Sequence, residues 1–574
     1  MAAEFVTDYI DKWADLRGDA IAYRFLTNGE TEETTLTFDA LRIRSRALTQ
    51  ELLRSCAPGD RVVLLLPTSL DFIIGFFATI QAGLIAVPLP APSTKRINLA
   101  APTLAKIFEN CKPRIVITSR ALQEQRSAFN RHSWAFAVPE WKVIDTGASS
   151  VLDLGLGPLP DLTPGTLALL QYTSGSTSDP KGVMLSHGNI AANQAMLSQV
   201  ESLVDGQTGV ATWLPHHHDM GLGIHIFALT RGITCTFMSP AHFVQRPLRW
   251  LEAISRYRVT GTCSPHFALD VCNRRANDIG HSKLDLSSLR CMIIGAEPLV
   301  PKVIADFADN FERYGLEPAC ITPCYGLAES TVLSTATPRR RPKVLRVDQA
   351  SYRKSLIVPS NDQRGSIDLV SCGSAGRDHG VAICDPDTGR ILPEGSVGEV
   401  WLNGPSLGSG YWCMPEASRI TFNARTADGR DGYLRTGDLG CLWEGELYIT
   451  GRTKDLIIIR GRNLYPQDIE NVIRAGPNAL NNGAAVAFAE MHDDGERIAV
   501  VVERDRHSPL TPDELAQGVR RLVQEAFDVE VGRVLVVQSN AIPKTSSGKL
   551  RRQHCRGMVF NHDIGILAEA GMLN

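Results

Sequence analysis

No Cys-x-x-Cys pair occurs among the 13 cysteines of this 574-residue chain, and no ladder of histidines accompanies them. That removes the usual spacing of a disulfide framework and of a structural zinc site, and a reducing, cytoplasmic setting is the expectation. An excess of charge of either sign is lacking too: 59 Lys and Arg stand against 62 Asp and Glu, a formal net charge of -3. Such a chain has no global field to draw in nucleic acid or an anionic lipid surface. The opening, MAAEFVTDYIDKWADLRGDA, mixes acids with apolar residues where a signal peptide would carry a basic end and an apolar core. One uncharged run, residues 72–94, is long enough to cross a bilayer, but Gln81, Gly83, Pro88 and Pro90 interrupt it. It reads as a buried helix ending near Gly83 followed by a buried strand, and no stable membrane span is expected.

At 574 residues the chain exceeds the size at which one core keeps growing, so two or more domains are expected. Residues 38–56 read as a helix, RVVLLLP as a strand, 69–83 as a helix, 84–89 as a strand, 100–111 as a helix and RIVIT as a strand. The alternation resumes with GVATWLP, a helix from Gly221, ITCTFMS, a helix near 248–256, VTGTCSP, a helix from Phe267, LRCMIIGAEPL and a helix from Pro301. Short apolar strands alternating with helices predict a layered α/β domain. From about residue 366, glycine-punctuated strands predict a small bent sheet. Beyond 451–455 the pattern becomes a compact α+β unit of about 120 residues. The predicted division is 1–451 for a large N-terminal domain and 452–574 for a small C-terminal one.

Residues 171–190, QYTSGSTSDPKGVMLSHGNI, follow a strand-like run and precede a helix-like run with Asn189 as its cap, so the motif is expected on a strand-to-helix connection. Gly175 and Gly182 with the hydroxyls of Thr173, Ser174, Ser176, Thr177 and Ser178 can bend sharply and turn backbone N–H groups inward, and Lys181 adds a mobile positive charge. That is a polyphosphate cradle, although an ordinary exposed turn has the same composition. It is not a Walker loop, because the lysine follows Pro180 and precedes Gly182.

Other polar islands bear on that choice. His216, His217, His218 and Asp219 follow a strand; three adjacent histidines cannot all face one metal from a strand, and a capped helix start is the simpler reading. GAEPL, residues 295–299, and CYGLAEST, residues 324–331, lie where a strand gives way to a turn, the usual ligand position in open α/β sheets. Tyr325 beside Gly326 leaves a ring free to lie flat on a planar ligand. Glu329 near a polyphosphate loop suggests a shared divalent ion with oxygen ligands, magnesium. YLRTGDLG, residues 433–440, places Asp438 in a Gly-bracketed turn, where it accepts the hydroxyls of a ribose or serves as an Asx-turn residue. IPKTSSGKLRR, residues 542–552, sets Lys544 and Lys549 around a second Ser/Gly loop. Two such loops in separate domains suggest a reaction centre closed by domain docking.

In this order, YTSGSTSDPKGVM, YGLAEST, YLRTGDLG, GRTKD and PKTSSGKLRR resemble the adenylate-forming superfamily of acyl-CoA synthetases, luciferases and peptide-synthetase adenylation domains, over nearly all 574 residues. The resemblance implies a large ATP- and substrate-binding domain with a small mobile C-terminal domain. LQYTSGSTSDPKGVMLSHGNI, HHHDMGLG, VSCGSAG and IIIRGRNLYPQDIE are more similar to the fatty acyl-AMP ligases. Residues about 340–368 look like the extra segment those ligases carry between YGLAE and SCG, a feature associated with loss of productive CoA use. Val344, Leu345, Val347, Leu356 and Ile357 are expected to anchor it. One departure is that His216 and His217 stand where the family has a proline and an aromatic, which bears on the acyl pocket.

What the resemblance implies is an enzyme that uses ATP and magnesium to convert a fatty acid to an acyl-adenylate, releasing pyrophosphate. The acyl group then passes to the phosphopantetheine thiol of a separate holo acyl carrier protein. An acyl-CoA synthetase with the same first step is the nearest alternative, followed by an amino-acid adenylation enzyme and a non-catalytic adenylate-binding protein. At matching positions Thr173, Ser174, Gly175, Ser176, Thr177 and Lys181 would hold the β and γ phosphates, and Glu329 with Thr173 the magnesium. Tyr325 and Gly326 would stack adenine against Gly295, Ala296 and Glu297. Asp438 and Arg452 would bind the ribose, Lys549 would bridge the carboxylate and the α-phosphate, His218 would line the acyl entrance, and Lys454 would be the hinge. The final FNHDIGILAEAGMLN holds no Asp-Ser-Leu attachment motif, so the carrier is expected from another chain.

Overall fold

Of the twelve residues in the helix Leu70–Gln81, all but Asp71 are buried, which is what a helix apolar on every face requires. Ser69 caps it by accepting the Phe72 N–H at 3.4 Å. Among the described residues no helix is long and apolar enough to cross a membrane. The computed structural model describes residues 5–92, 97–125, 140–144, 157–173, 180–201, 206–279, 284–337, 339–459, 462–476, 483–492, 495–506, 508–545 and 549–571.

Two sheets enclose this helix in one continuous core. In a six-stranded sheet the order is Glu140–Val143, Ile115–Thr118, Arg61–Leu65, Ile85–Pro88, Leu167–Thr173 and Lys181–Ser186, parallel except for the last pair. At the centre of a nine-stranded sheet, Gly209–Thr212, Gly261–Pro265, Cys291–Gly295 and Ile321–Tyr325 run parallel. Their C-terminal ends open together, which is where such sheets bind ligands. A four-stranded antiparallel sheet follows, Gly380–Cys384, Gly398–Asn403, Leu434–Trp443 and Glu446–Arg452. Beyond it Ala485–His492, Gly495–Arg504, Val531–Gln538 and Ile566–Gly571 form another sheet, packed with Pro466–Ala475, Pro512–Phe527 and Arg552–Phe560. The architecture is bilobal, a large α/β N-terminal domain and a smaller α+β C-terminal domain.

Several elements depart from the sequence expectations. The polyphosphate motif lies on a β-hairpin rather than a strand-to-helix connection: Thr173 pairs with Lys181, and Lys181–Ser186 continues as a strand. Ser174, Gly175, Ser176, Thr177 and Ser178 lie outside the described residues. The next helix starts at His187, so Asn189 is not its cap. The Asn189 Oδ1 accepts the Ser186 N–H at 2.9 Å, while its amide donates to the Pro405 and Leu407 carbonyls. The helix expected from Gly221 begins two residues earlier, at Asp219. Those expected at 38–56 and 69–83 end sooner, at Leu53 and Gln81, and the one at 100–111 begins earlier, at Ile97.

The extra segment is packed, but partly through other residues than expected. Val344–Asp348 pairs antiparallel with Ser366–Val370. Val347 and Ile357 are buried and Leu345 partly so, whereas Val344 and Leu356 are exposed; within Val344–Asp348 the difference follows from neighbours along a strand facing opposite ways. The anchors missed are Tyr352 and Leu369, which share a core with Val397, Leu439, Tyr448 and Tyr465.

Tyr352→Ala should lower stability by about 3–5 kcal/mol, the usual cost of deleting a fully buried aromatic. Tyr352→Phe should stay near the parent, since the Tyr352 hydroxyl has no protein partner. Urea titration of both variants checks this; an alanine variant as stable as the parent would show that the segment is not packed.

Candidate active site

A cleft of about 1320 Å³ opens where the strand ends converge, and residues of both domains line it. Its best-defined corner is built around Asp438. The Tyr325 hydroxyl donates to Asp438 Oδ2 at 2.8 Å, and Arg452 Nε meets Asp438 Oδ1 at 2.7 Å. Asp438 and Arg452 are cross-strand partners. Asp438 does not stand in a turn: it lies inside Leu434–Trp443, where the register against Gly398–Asn403 shifts. A bulge of this kind re-aims a side chain. The Asp438 oxygens engage Tyr325 and Arg452 rather than a nearby backbone N–H, which is not the pattern of an Asx turn, and Thr436 Oγ1 accepts the Asp438 N–H at 3.0 Å. Buried Glu399 pins the bulge by accepting from Arg435 Nη2 at 2.7 Å, from the Gly437 N–H at 3.1 Å and from Trp401 Nε1 at 3.0 Å.

Tyr325 is accordingly held, not free. It ends the strand Ile321–Tyr325, burial raises its pKa well above that of an ordinary phenol, and its ring lines the cleft with its hydroxyl fixed on Asp438. At Gly326 a Cβ would collide with the Val332 carbonyl, so only glycine lets the chain turn there. Opposite stand Ala296 and Glu297. Ala296 adopts φ +68, a left-handed backbone that costs a non-glycine residue about 1 kcal/mol or more. Glu297 accepts the Phe267 N–H and so anchors the start of the helix Phe267–Arg274. Gly295 does not line the cleft; its Cα faces Cys324 of the next strand, where a Cβ would stand 2.9 Å from the carbonyl oxygen.

Another wall carries Thr173, Lys181, Tyr411 and Glu329. Lys181 Nζ lies 4.7 Å from the centre of the Tyr411 ring, and the Tyr411 hydroxyl donates to Glu329 Oε1 at 2.8 Å. Burial pushes the Glu329 carboxyl above the usual carboxylate range, against the Tyr411 hydrogen bond and the charge of Arg452. A buried, incompletely neutralised carboxylate on a cleft wall suits a cation. Among the described residues no three His, Cys, Asp or Glu are grouped to hold a metal on their own, so a cation here would complete its shell with oxygens of a ligand.

The histidine run divides its tasks. His216 is buried against Phe72, ring centres 3.7 Å apart, with Nε2 at 3.2 Å from the Leu66 carbonyl. Burial draws its pKa down to about 4, so it is neutral and serves as wall. The His217 carbonyl accepts from Gln171 Nε2 at 2.7 Å. His218 occupies the N-cap position of Asp219–Arg231 and lines the cleft. Burial lowers the pKa of His218 and raises that of Glu297, and Lys549 of the small domain lines the cleft with both. Lys454 sits exposed in the turn Thr453–Asp455, its carbonyl accepting from Gln553 Nε2 at 3.3 Å.

Residues 10–412 match the AMP-binding enzyme family. The chain is 38% identical over 545 residues to the medium-chain-fatty-acid–[acyl-carrier-protein] ligase JamA of Moorena producens, covering 93% of this chain and 91% of that protein. To the long-chain-fatty-acid–AMP ligase FadD32 of Mycolicibacterium smegmatis it is 35% identical, with 96% and 93% covered. The chain belongs to the AMP-binding enzymes, as a fatty acyl-AMP ligase. Its fold matches the fatty acyl-adenylate ligase of L. pneumophila in complex with acyl adenylate and pyrophosphate at TM-score 0.74 and 34% identity, covering 99% and 98%. A structure from work on the fatty acyl-adenylate ligases of E. coli and L. pneumophila matches at TM-score 0.85, 31% identity and 97% and 98% coverage.

Sequence reasoning missed three residues of this fatty acyl-AMP ligase cleft: Tyr411, which joins Lys181 to Glu329, and the Glu399–Arg435 pair beneath Asp438. Their stretches, GSGYW and GEVW, were legible only as glycine-punctuated strands.

Glu399→Gln should raise the KM for ATP about tenfold by weakening charge-assisted hydrogen bonds under Asp438, with the fatty-acid KM little changed. Steady-state titration of each substrate reads this, and an unaltered ATP KM would contradict the role given to the bulge.

Proposed function

We propose that this enzyme activates a fatty acid with ATP to an acyl-adenylate and pyrophosphate, and hands the acyl group to the phosphopantetheine thiol of a separate acyl carrier protein. The observation that carries the reading is Lys549, a residue of the small domain that lines the same cleft as His218 and Glu297 of the large domain. The fatty carboxylate is already ionised near neutral pH, so the chemistry needs neutralisation of charge on phosphoryl oxygens more than it needs a base. The carboxylate oxygen attacks the α-phosphorus and the bond to pyrophosphate breaks. Lys549 stands between the attacking carboxylate and the α-phosphate, and Lys181 with Thr173 and Ser174 to Thr177 holds the β and γ phosphates. Asp438, its oxygens set by Tyr325 and Arg452, accepts the ribose hydroxyls, while Tyr325 and Gly326 face Ala296 and Glu297 across the adenine. Magnesium fits at Glu329 with Thr173, where it would neutralise the leaving pyrophosphate. In the second half-reaction the thiolate attacks the acyl carbon, the carbon–oxygen bond to phosphate breaks, and AMP leaves. His218 and the apolar residues beside it border the acyl entrance. No disulfide joins any of the 13 cysteines, which suits a reducing cytoplasm.

Residues 1–451 and 452–574 are the units that move, with Lys454 as hinge. The extra segment near 340–368 opposes that movement. Asn463 donates its N–H to the Arg353 carbonyl at 3.0 Å and its Nδ2 to Ser355 Oγ at 2.7 Å. Arg353 Nη2 donates to the Ala526 carbonyl at 3.3 Å, and the Tyr352 and Tyr465 rings lie 4.9 Å apart. These contacts stabilise the arrangement that keeps Lys549 in the cleft. A carrier protein can spread binding over its surface and offset the cost of breaking them, whereas CoA offers little surface to do so.

Lys549→Ala should slow fatty-acid-dependent pyrophosphate release about 100- to 1000-fold, the usual loss for one transition-state electrostatic contact, with ATP binding largely retained. Release at the parent rate would remove Lys549 from the mechanism. Arg353→Ala combined with Asn463→Ala should raise the yield of acyl-CoA relative to acyl-AMP without slowing adenylation, as read by chromatography of the products. A parent enzyme that already makes acyl-CoA efficiently would favour an acyl-CoA synthetase instead.

A further inference from the structure

The stretch 543–562 carries Lys544, Lys549, Arg551, Arg552 and Arg556 and no carboxylate. Two of these cations are already engaged: Lys549 acts within the cleft, and Arg552 turns inward to Glu470, at 2.6 Å, and to Asp455, at 3.6 Å. Arg556, one turn further along Arg552–Phe560, makes no ion pair among the described residues, and its guanidinium lies 5.5 Å from the centre of the Phe560 ring. Lys454 has no carboxylate partner among the described residues either.

Large apolar side chains surround these two cations on the outside of the small domain. Met491 is 71% exposed, Ile458 50% and Phe560 50%. Met491 is the cross-strand partner of Glu496. The Ile458 N–H donates to Glu496 Oε2 at 2.8 Å, which brings Ile458 beside Met491. Met491, Glu496, Arg556 and Lys454 wall one shallow depression. Its two acids are engaged, Glu496 by that N–H and Asp455 by Arg552 and by Gln553 Nε2 at 2.9 Å. What the face offers outward is therefore cationic and apolar. The depression adjoins the cleft, for Lys454, Asp455, Arg552 and Gln553 line both.

We propose that this face, formed by Met491, Ile458, Phe560, Arg556 and Lys454, docks the acyl carrier protein through a carrier helix that presents carboxylates around an apolar side chain. The proposal rests on the reading that the acyl group leaves on a carrier thiol. Exposed apolar side chains with a rim of one charge mark a protein contact, and opposite charge supplies encounter rate and orientation. Continuity with the cleft at the hinge selects the carrier over other acidic proteins, since only a partner that must bring a thiol into the cleft gains from docking there.

The test compares the parent with Arg556→Glu and Met491→Asp in three assays: fatty-acid-dependent pyrophosphate release, acyl transfer to the holo acyl carrier protein of a bacterial fatty-acid synthase, and acyl transfer to free pantetheine. Pyrophosphate release and transfer to pantetheine should stay within about twofold of the parent, while the KM for the carrier rises about tenfold or more at low salt; the parent's carrier KM should climb with ionic strength and that of Arg556→Glu should climb less. Variants with an unchanged carrier KM overturn the docking face. Sedimentation in parallel assigns the face to a second copy of the chain, against the proposal, if the variants alter oligomeric state and leave the carrier KM alone. A parent that forms acyl-AMP yet acylates no carrier fails the transfer reading itself, and that result is visible before any variant is made.

Discussion

Everything at this site depends on one buried carboxylate having its two oxygens spoken for by different parts of the chain. Asp438 takes a hydroxyl from Tyr325, at the end of the nine-stranded sheet, and a guanidinium from Arg452, at the end of the antiparallel sheet. Arg452 is also two residues ahead of Lys454, where the chain leaves for the small domain. This corner of the cleft and the junction of the two sheets are thus joined through a single side chain, and the Glu399–Arg435 pair lies beneath it. A carboxylate so constrained is preorganised for hydroxyls placed where ribose would present them, with no reorganisation left to oppose binding.

The sheets around it explain why the two domains need each other. The large domain supplies a hairpin with Thr173 and Lys181, a buried acid at Glu329 and an apolar wall that includes neutral His216. Lys549 joins the lining of the same cleft from the other lobe. Arg353, Ser355 and Tyr352 of the segment near 340–368 contact Asn463 and Tyr465 of the small domain in this arrangement.

Strand and helix alternation and the packed helix at Leu70–Gln81 were legible because burial imposes periods of 2 and 3.6 on the sequence. Less legible were the features set by pairing partners far along the chain. Lys181–Ser186 reads locally as a loop leading into a helix and becomes a strand only because Leu167–Thr173 lies beside it. Asp438 reads as a turn between glycines and proves to be a bulge, because the register against Gly398–Asn403 slips there. Tyr411 could not be assigned at all from GSGYW; its function arises from Lys181 and Glu329, 230 and 82 positions away. Val344 and Leu356 were read as anchors on composition, but both are exposed, Val344 because it alternates with Leu345 and Val347 along its strand, while Tyr352 of a short helix and Leu369 are buried.

The central claim is that the two lobes together make an acyl-adenylate and hold it for a carrier thiol. It is tested most directly by supplying the intact enzyme with a panel of fatty acids, ATP and magnesium without any thiol, and separating the products by chromatography. The account predicts that acyl-AMP and pyrophosphate accumulate in equal amounts with at least one fatty acid, and that adding CoA leaves the acyl-AMP largely unconsumed. Absence of acyl-AMP across the panel, or its rapid conversion to acyl-CoA, would contradict it.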